Sequence, residues 1–347
     1  MNSSVQSRLQ WHTVTVSERK RETSRAVTLT LTPSDPAVTF NYLPGQYVNV
    51  MLGVEGESCC RSYSISGETG EGGIMITVQA IAGGKVSRYL NEHMAVGDTL
   101  HCSLPVGSFR IMDPDRETVF MAAGSGITPI VSMLRAQLTQ SRQPCVLYYF
   151  TRSSDDTIFM DEVADLAAQF RKQFTVVYWF SAERGRFCDL ARLKGSREAF
   201  QNTADVYLCG PTDWMHCLKD ALMSGGIGYH KLYQETFSNT VSNKDEPVVV
   251  QPDADRDLSC TIRVRVDDKD FVSQASVGER VLSVLRRHDV PITSGCEMGK
   301  CGSCLARITS GKVDLRDTGF LLEEEIEDGL TLCCQAYVVG DCGIEVE

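Results

Sequence analysis

Cysteines carry the most specific spacing in this sequence. Cys296, Cys301 and Cys304 follow C-x4-C-x2-C, and the adjacent pair Cys333-Cys334 comes about thirty positions later. Three thiolates on one tight loop and a fourth from a distant segment can surround two irons, as in a [2Fe–2S] centre. Gly295, Gly299 and Gly302 interleave with the cysteines. They let the backbone curl so that N–H groups point at sulfur. If the later segment is a strand, only one of Cys333 and Cys334 faces the metal. Zinc competes for any set of four cysteines, but its four-cysteine sites usually come as paired C-x2-C knuckles. A Rieske centre needs two histidines, and only His288 is nearby. The other cysteines, for example Cys102, Cys145, Cys188, Cys217 and Cys260, are scattered and read mostly as small buried hydrophobes.

Two further groups of residues suit a flavin. In Arg61-Ser62-Tyr63-Ser64, the arginine can pair with a phosphate and the tyrosine can cover a ring or bond a ribityl hydroxyl. Ser64 can donate to a ring nitrogen. Gly83-Gly84-Lys85-Val86-Ser87 opens a short helical stretch, and free N–H groups at a helix start bind phosphate.

Gly124-Ser125-Gly126-Ile127-Thr128-Pro129 suits a dinucleotide. Its glycines allow close approach to a pyrophosphate, although Pro129 stands where the Rossmann fingerprint has its third glycine. Proline in a first helical turn is also good helix chemistry. Cys209-Gly210-Pro211 follows a strand, where open α/β sheets put ligands. Arg152 follows another strand and can reach a ribose phosphate. No acidic residue stands immediately at that strand end; Asp155 and Asp156 come three and four positions later. The choice between NADH and NADPH stays open on these residues.

The elements that must position these groups fall into three patterns. Residues 10–111 alternate as in Thr13–Val16, Val27–Leu31, Tyr47–Val50 and Ile74–Val78, with turn signals at Pro44-Gly45 and Gly70–Gly73. Many short strands with such punctuation predict an antiparallel barrel or sandwich. From Glu117 the pattern changes. Val119–Ala123 is a continuous apolar run, followed by Ile127, Ile130, Leu134 and Leu138 at helical spacing. Apolar strands at 145–150, 174–180 and 205–209, with a helical pattern near 160–170, predict a parallel sheet. Residues 239–256 read as a linker. Beyond them come a strand (Thr261–Val266), an amphipathic helix (Glu279–His288) and the cysteine cluster.

The 347 residues suit two or three domains. A formal charge of −11 disfavours nucleic acid as a partner. The last 91 residues hold 10 Lys and Arg against 17 Asp and Glu, a solvated acidic surface or one that steers toward a basic partner. The opening MNSSVQSRLQWHTVTV has no apolar core of a secretory signal, and no apolar run approaches the roughly 20 residues of a membrane span. A cytoplasmic protein is the expectation, with reduced thiols.

Arg61-x-Tyr63-Ser64, Gly83-Gly84-x-x-Ser87 and Pro105-x-Gly107-x-Phe109, in that order, resemble the ferredoxin–NADP reductase superfamily, and the resemblance runs over nearly the whole chain. In domain order the chain is similar to the oxygenase reductases with a C-terminal plant-type ferredoxin domain, such as those of phenylacetyl-CoA epoxidase and 3-ketosteroid 9α-hydroxylase. The resemblance implies a Greek-key flavin barrel over residues 8–112, an α/β parallel-sheet nucleotide domain over 116–238 and a β-grasp ferredoxin domain over 257–347. It implies FAD, with FMN as the alternative, and a [2Fe–2S] cluster ligated by Cys296, Cys301, Cys304 and Cys334. The fourth ligand follows from Cys334-Gln335-Ala336, which matches the family's sequence there. It places Cys209 beside the nicotinamide, Ser64 near the hydride-accepting ring nitrogen and Phe237, in Glu235-Thr236-Phe237, near the flavin. NADH is favoured over NADPH. The implied partner is a terminal oxygenase component, Rieske or di-iron, served by a monomer. Two alternatives remain: a reductase of another redox protein, such as a hybrid-cluster protein, and a non-catalytic redox or metal module. No acid/base dyad or activated nucleophile is needed.

Overall fold

A computed structural model describes residues 10–69, 72–187, 204–237, 259–266, 269–292, 297, 299, 302, 304–316, 320–321 and 323–346. They fall into two compact units. The larger holds the parallel sheet and the barrel apart from Cys59–Ser62, and the smaller holds that short stretch and the C-terminal sheet.

Strands β1 (Trp11–Thr23), β2 (Ala26–Pro33), β3 (Tyr47–Val54), β4 (Glu57–Glu68), β5 (Ile74–Gln79) and β6 (Thr99–Ser103) close a barrel in the order β1-β2-β5-β4-β3-β6. That order is the Greek key the resemblance implies. Val14, Val16, Leu29, Leu31, Ile65, Ile74 and Ile76 are fully buried, as alternating strands in a small filled barrel require. Buried hydroxyls on β2, β4 and β5 satisfy one another: Thr28 bonds Thr77 at 2.9 Å, and Ser66 bonds Thr77 at 2.9 Å. Helix α1 (Lys85–Glu92) follows β5 and buries Val86 and Leu90.

Strands β7 (Thr118–Ala123), β8 (Cys145–Thr151), β9 (Phe174–Phe180), β10 (Asp205–Gly210) and β11 (Leu232–Thr236) form an all-parallel sheet in the order β11-β10-β7-β8-β9. Helices α2 (Ile127–Gln140), α3 (Met160–Gln169), α4 (Ser181–Arg184) and α5 (Thr212–Ser224) lie in its connections. Strand alternation splits the sheet's side chains into two cores. Phe120 and Ala122 join Ile127, Ile130, Leu134 and Leu138 of α2. Val119 and Met121 join Met215, Leu218 and Leu222 of α5. The apolar run of β7 is therefore buried on both faces, as its composition predicts. The order reverses beside β7, so the crevice for a ligand opens at the C-terminal ends of β7 and β10.

β11 is an edge strand that the sequence reading missed. Leu232–Thr236 mixes polar and apolar residues, so no apolar run announces it. A second difference is Cys217 on α5, which is disulfide-bonded, not one of the free buried thiols expected.

The smaller unit contains β12 (Ser259–Val266), β13 (Lys269–Ser276), α6 (Val281–Arg287), β14 (Leu305–Ser310), β15 (Val313–Leu315), α7 (Glu323–Glu327), β16 (Leu330–Leu332), β17 (Ala336–Val338) and β18 (Cys342–Val346). One sheet runs β13-β12-β18-β14-β16, with β12 and β18 parallel at its centre, and β15 pairs with β17. Helix α6 buries Val281, Leu282, Val284 and Leu285. This is the β-grasp arrangement. The helix starts two residues later than its periodicity predicts, because Arg280 is held in an extended bridge to Tyr337. The linker 239–256 lies outside the described residues. No described helix is long and apolar enough to cross a membrane.

Leu134 is fully buried where α2 packs on the parallel sheet. Leu134→Ala is expected to cost about 2–5 kcal/mol of stability in chemical unfolding followed by circular dichroism.

Candidate redox site

Strand β4 carries Arg61, Ser62, Tyr63 and Ser64. Ser64 and Ser66 are both buried on this strand. Their hydroxyls differ in one respect. Ser66 Oγ is bonded to Thr77 and to the Met75 carbonyl. Ser64, only 4% exposed, has a buried Oγ with no partner among the described residues. An unsatisfied buried hydroxyl costs about 1–3 kcal/mol, so a bound group that accepts or donates there recovers it. The polar edge of a flavin ring is such a group, and on this observation the strand fits one. Arg61, partly exposed, donates to the Cys60 carbonyl at 2.7 Å.

Helix α1 begins after Gly84 with no side-chain cap and no acidic residue in its first turn. Its ladder starts with Arg88 N–H donating to the Gly84 carbonyl at 3.1 Å, so the amides of Val86 and Ser87 precede it. The Ser87 hydroxyl is already used: it accepts from Ile81 N–H at 3.3 Å and donates to the Gly84 carbonyl at 3.4 Å. It braces the turn, and the amides remain for an anion. A Cβ at Gly84 would lie 2.3 Å from Ile81 Cγ1, so glycine is needed there. Lys85 pairs with Glu55 at 3.2 Å. In the third segment, Phe109 packs edge-on to Tyr207 with ring centroids 6.0 Å apart, which places it in the core of the nucleotide sheet.

Gly124–Gly126 form a single 3₁₀ turn between β7 and α2. Thr128 donates to the Ser125 carbonyl at 3.0 Å, which fixes the turn, and Pro129 sits buried in the first turn of α2. A Cβ on Gly126 would lie 2.1 Å from the Cys209 carbonyl oxygen. The loop after β7 and the end of β10 are thus in backbone contact. Cys209 is fully buried, paired in register with Ala122 on one side and Glu235 on the other. Gly210 is equally constrained, since a Cβ there would meet Ala123 Cβ at 2.8 Å. Pro211 caps α5. The structure therefore brings the Gly124–Gly126 turn against the Cys209–Gly210 end of β10, with Thr128 and Pro129 buried at the start of α2 and Pro211 at the start of α5. Phe237 follows β11 and packs partly buried against the sheet core. Arg152 is exposed beyond β8. Asp156 is drawn elsewhere: it pairs with Arg25 of the barrel at 3.4 Å and accepts from Ser153 at 3.1 Å.

In the smaller unit, Cys304 and Cys334 come together, with Cys334 N–H donating to Cys304 Sγ at 3.4 Å. The Cys304 thiol is pushed far up by its hydrogen bond to Cys334 and by burial, which makes ionising it costly. A metal cation removes that cost by binding both as thiolates, so the donor set fits a cluster. Cys333 is fully buried, and its pKa is raised by desolvation and then by Cys334. Cys296 and Cys301 lie outside the described residues. Their loop is held by what is described of it. Gln335 donates to the Glu297 carbonyl at 3.0 Å, Glu297 pairs with Arg286 at 2.5 Å, and Phe320 N–H bonds the Gly299 carbonyl at 2.9 Å. Sequence reasoning missed these braces, since none has a motif.

Ser64→Ala separates the fit from its alternatives. It is expected to stabilise flavin-stripped protein by about 1–3 kcal/mol in thermal unfolding, because a buried orphan hydroxyl disappears, while weakening retention of flavin. Equal loss in both forms would mean that the hydroxyl serves the barrel alone.

Comparison with known proteins agrees with this division. Residues 13–111 match the oxidoreductase FAD-binding domain, 120–220 the oxidoreductase NAD-binding domain and 264–339 the 2Fe-2S iron-sulfur cluster binding domain. The chain is 30% identical over 338 residues to the ferredoxin reductase component of 3-ketosteroid-9-alpha-monooxygenase from Mycolicibacterium smegmatis, covering 94% of each chain. It is 29% identical over 340 residues to one of the subunits of 1,2-phenylacetyl-CoA epoxidase from Escherichia coli, again covering 94% of each. In fold it is similar to phthalate dioxygenase reductase, with a TM-score of 0.60 and 23% identity over 97% of this chain and 98% of that one. Identity at that level across nearly the whole length is kinship, and the chain belongs to the family of monooxygenase ferredoxin reductase components, oxidoreductases that join FAD-binding, NAD-binding and 2Fe–2S domains in one polypeptide.

Proposed function

We propose that this oxidoreductase is the reductase component of an oxygenase system. Electrons arrive in pairs on NADH, with NADPH as the alternative, and leave singly for a terminal oxygenase component of Rieske or di-iron type. FAD, with FMN as the alternative, would supply the exchange between paired and single electrons, and a [2Fe–2S] cluster would supply one-electron carriage. The chain's own residues supply binding and orientation. Ser64 bonds the ring edge, with Arg61, Ser62 and Tyr63 along the same strand and the Gly84–Ser87 turn at the phosphates. Gly124, Ser125, Gly126, Thr128 and Pro129 receive the dinucleotide at the start of α2. Cys209, Gly210 and Pro211 hold the nicotinamide end, Phe237 lies at the edge of that site, and Arg152 reaches a ribose phosphate. Cys296, Cys301, Cys304 and Cys334 ligate the cluster.

The observation that carries this reading is the orphan hydroxyl of Ser64 in the same compact unit as the backbone contact between Gly126 and Cys209. A flavin strand and a nucleotide crevice in one unit are what hydride transfer needs. The oxygenase partner is supported by relatives named as the reductases of a ketosteroid monooxygenase and a glycine betaine monooxygenase, and by one named as part of a phenylacetyl-CoA epoxidase. We take the domains as 8–112, 116–238 and 257–347, joined by a linker at 239–256, in a monomer that works in the cytoplasm.

The test uses Cys334→Ser. NADH-dependent reduction of the oxygenase component is expected to fall by more than about 100-fold, with ferricyanide reduction kept within about twofold. Retention of both activities would remove the cluster from the route.

A further inference from the structure

Strand β4 is not regular where it passes the site. Its pairing with β5 shifts between Ile65 and Gly67, so Ser66 is the extra residue of a β-bulge. A bulged residue is left out of the ladder, and its carbonyl needs another donor. Arg135 of α2 supplies it, with Nη1–H bonded to the Ser66 carbonyl. The same guanidinium donates Nε–H to Glu162 of α3 at 2.6 Å. Only the planar fork of arginine serves both partners at once. Gly67 makes room, because a Cβ there would lie 3.1 Å from Arg135 Nη1.

Other polar contacts also join barrel and sheet. Arg25 pairs with Asp156 at 3.4 Å, and the Tyr42 and Ser132 side chains are hydrogen-bonded. Arg135 differs in what it connects. Its helix begins at the Gly124–Gly126 turn, about 12 Å up the axis from Arg135. Its acceptor, the Ser66 carbonyl, stands two residues from Ser64 on the same strand. One rigid helix is therefore tied at one end to the nucleotide loop and, through Arg135, to the flavin strand.

We propose that Arg135 is a positioning residue for hydride transfer: by locking the bulge of β4 to α2 it fixes the spacing between the Ser64 hydroxyl and the nucleotide loops at Gly126 and Cys209. The proposal rests on the oxidoreductase reading of the same site. The guanidinium is engaged by Ser66 and Glu162, so it acts on the rate of transfer and leaves binding nearly intact. Displacements of about 1 Å cost about 100-fold in such reactions.

The test compares holoprotein variants Arg135→Met, Arg135→Lys, Gly67→Ala and Arg25→Ala. Flavin content, NADH affinity, the single-turnover rate of flavin bleaching and hydrogen exchange of a peptide spanning Ser64–Glu68 are measured. Arg135→Met is expected to slow bleaching about 10- to 100-fold, with flavin content and NADH affinity within about twofold, and to speed exchange of that peptide. Arg135→Lys restores part of the rate. Gly67→Ala disturbs the same contact from the barrel side, and combined with Arg135→Met it adds little, as expected for one shared interaction. Arg25→Ala changes neither rate nor exchange. A wild-type rate in Arg135→Met, or rate and affinity falling together as a general loss of stability, overturns the proposal. Unmodified protein that neither NADH nor NADPH bleaches overturns the oxidoreductase reading itself.

Discussion

A hydrogen atom where other residues carry a side chain sets the geometry of the larger unit. Gly126 lets the turn after β7 lie against the Cys209 carbonyl at the end of β10, and any Cβ there would stand 2.1 Å from that oxygen. The contact sits where the strand order reverses. If the two strand ends were pushed apart, the start of α2 would no longer share a crevice with Cys209, and nothing would aim a dinucleotide at the barrel.

The barrel answers this constraint with its own. Ser64 is buried at a stability cost that the barrel's own hydroxyl network, running through Thr28, Thr77 and Ser66, does not relieve. A bound ligand that bonds it would complete such a group. The bulge at Ser66 and its bond to Arg135 connect the two constraints through α2. The smaller unit brings sulfur together, with Cys334 N–H donating to Cys304 Sγ and the Cys304 thiol hard to ionise until a cation binds it.

Much of this was legible in the sequence. Cysteine spacing is set by the reach of a loop around two irons, and GSGITP and CGP by close backbone approach, so both survive as local strings. The apolar run of β7 announced a strand buried on both faces. Other features left no local trace. Arg135 bonds a backbone carbonyl exposed by a bulge, and neither the acceptor nor the bulge has a residue signature. Asp156, four positions past Arg152, left the nicotinamide choice open in the sequence, and its carboxylate is drawn to Arg25, 131 positions away. β11 escaped because an edge strand with mixed polarity needs no apolar run, and Cys217 because no local spacing marks its disulfide.

The central claim is that one polypeptide converts paired electrons into single ones. An anaerobic reductive titration of the purified protein, followed in the visible spectrum and by electron paramagnetic resonance, counts what it holds. About three electron equivalents per chain are expected, two for the flavin and one for the cluster. Uptake of two, with no paramagnetic iron–sulfur signal, would contradict it.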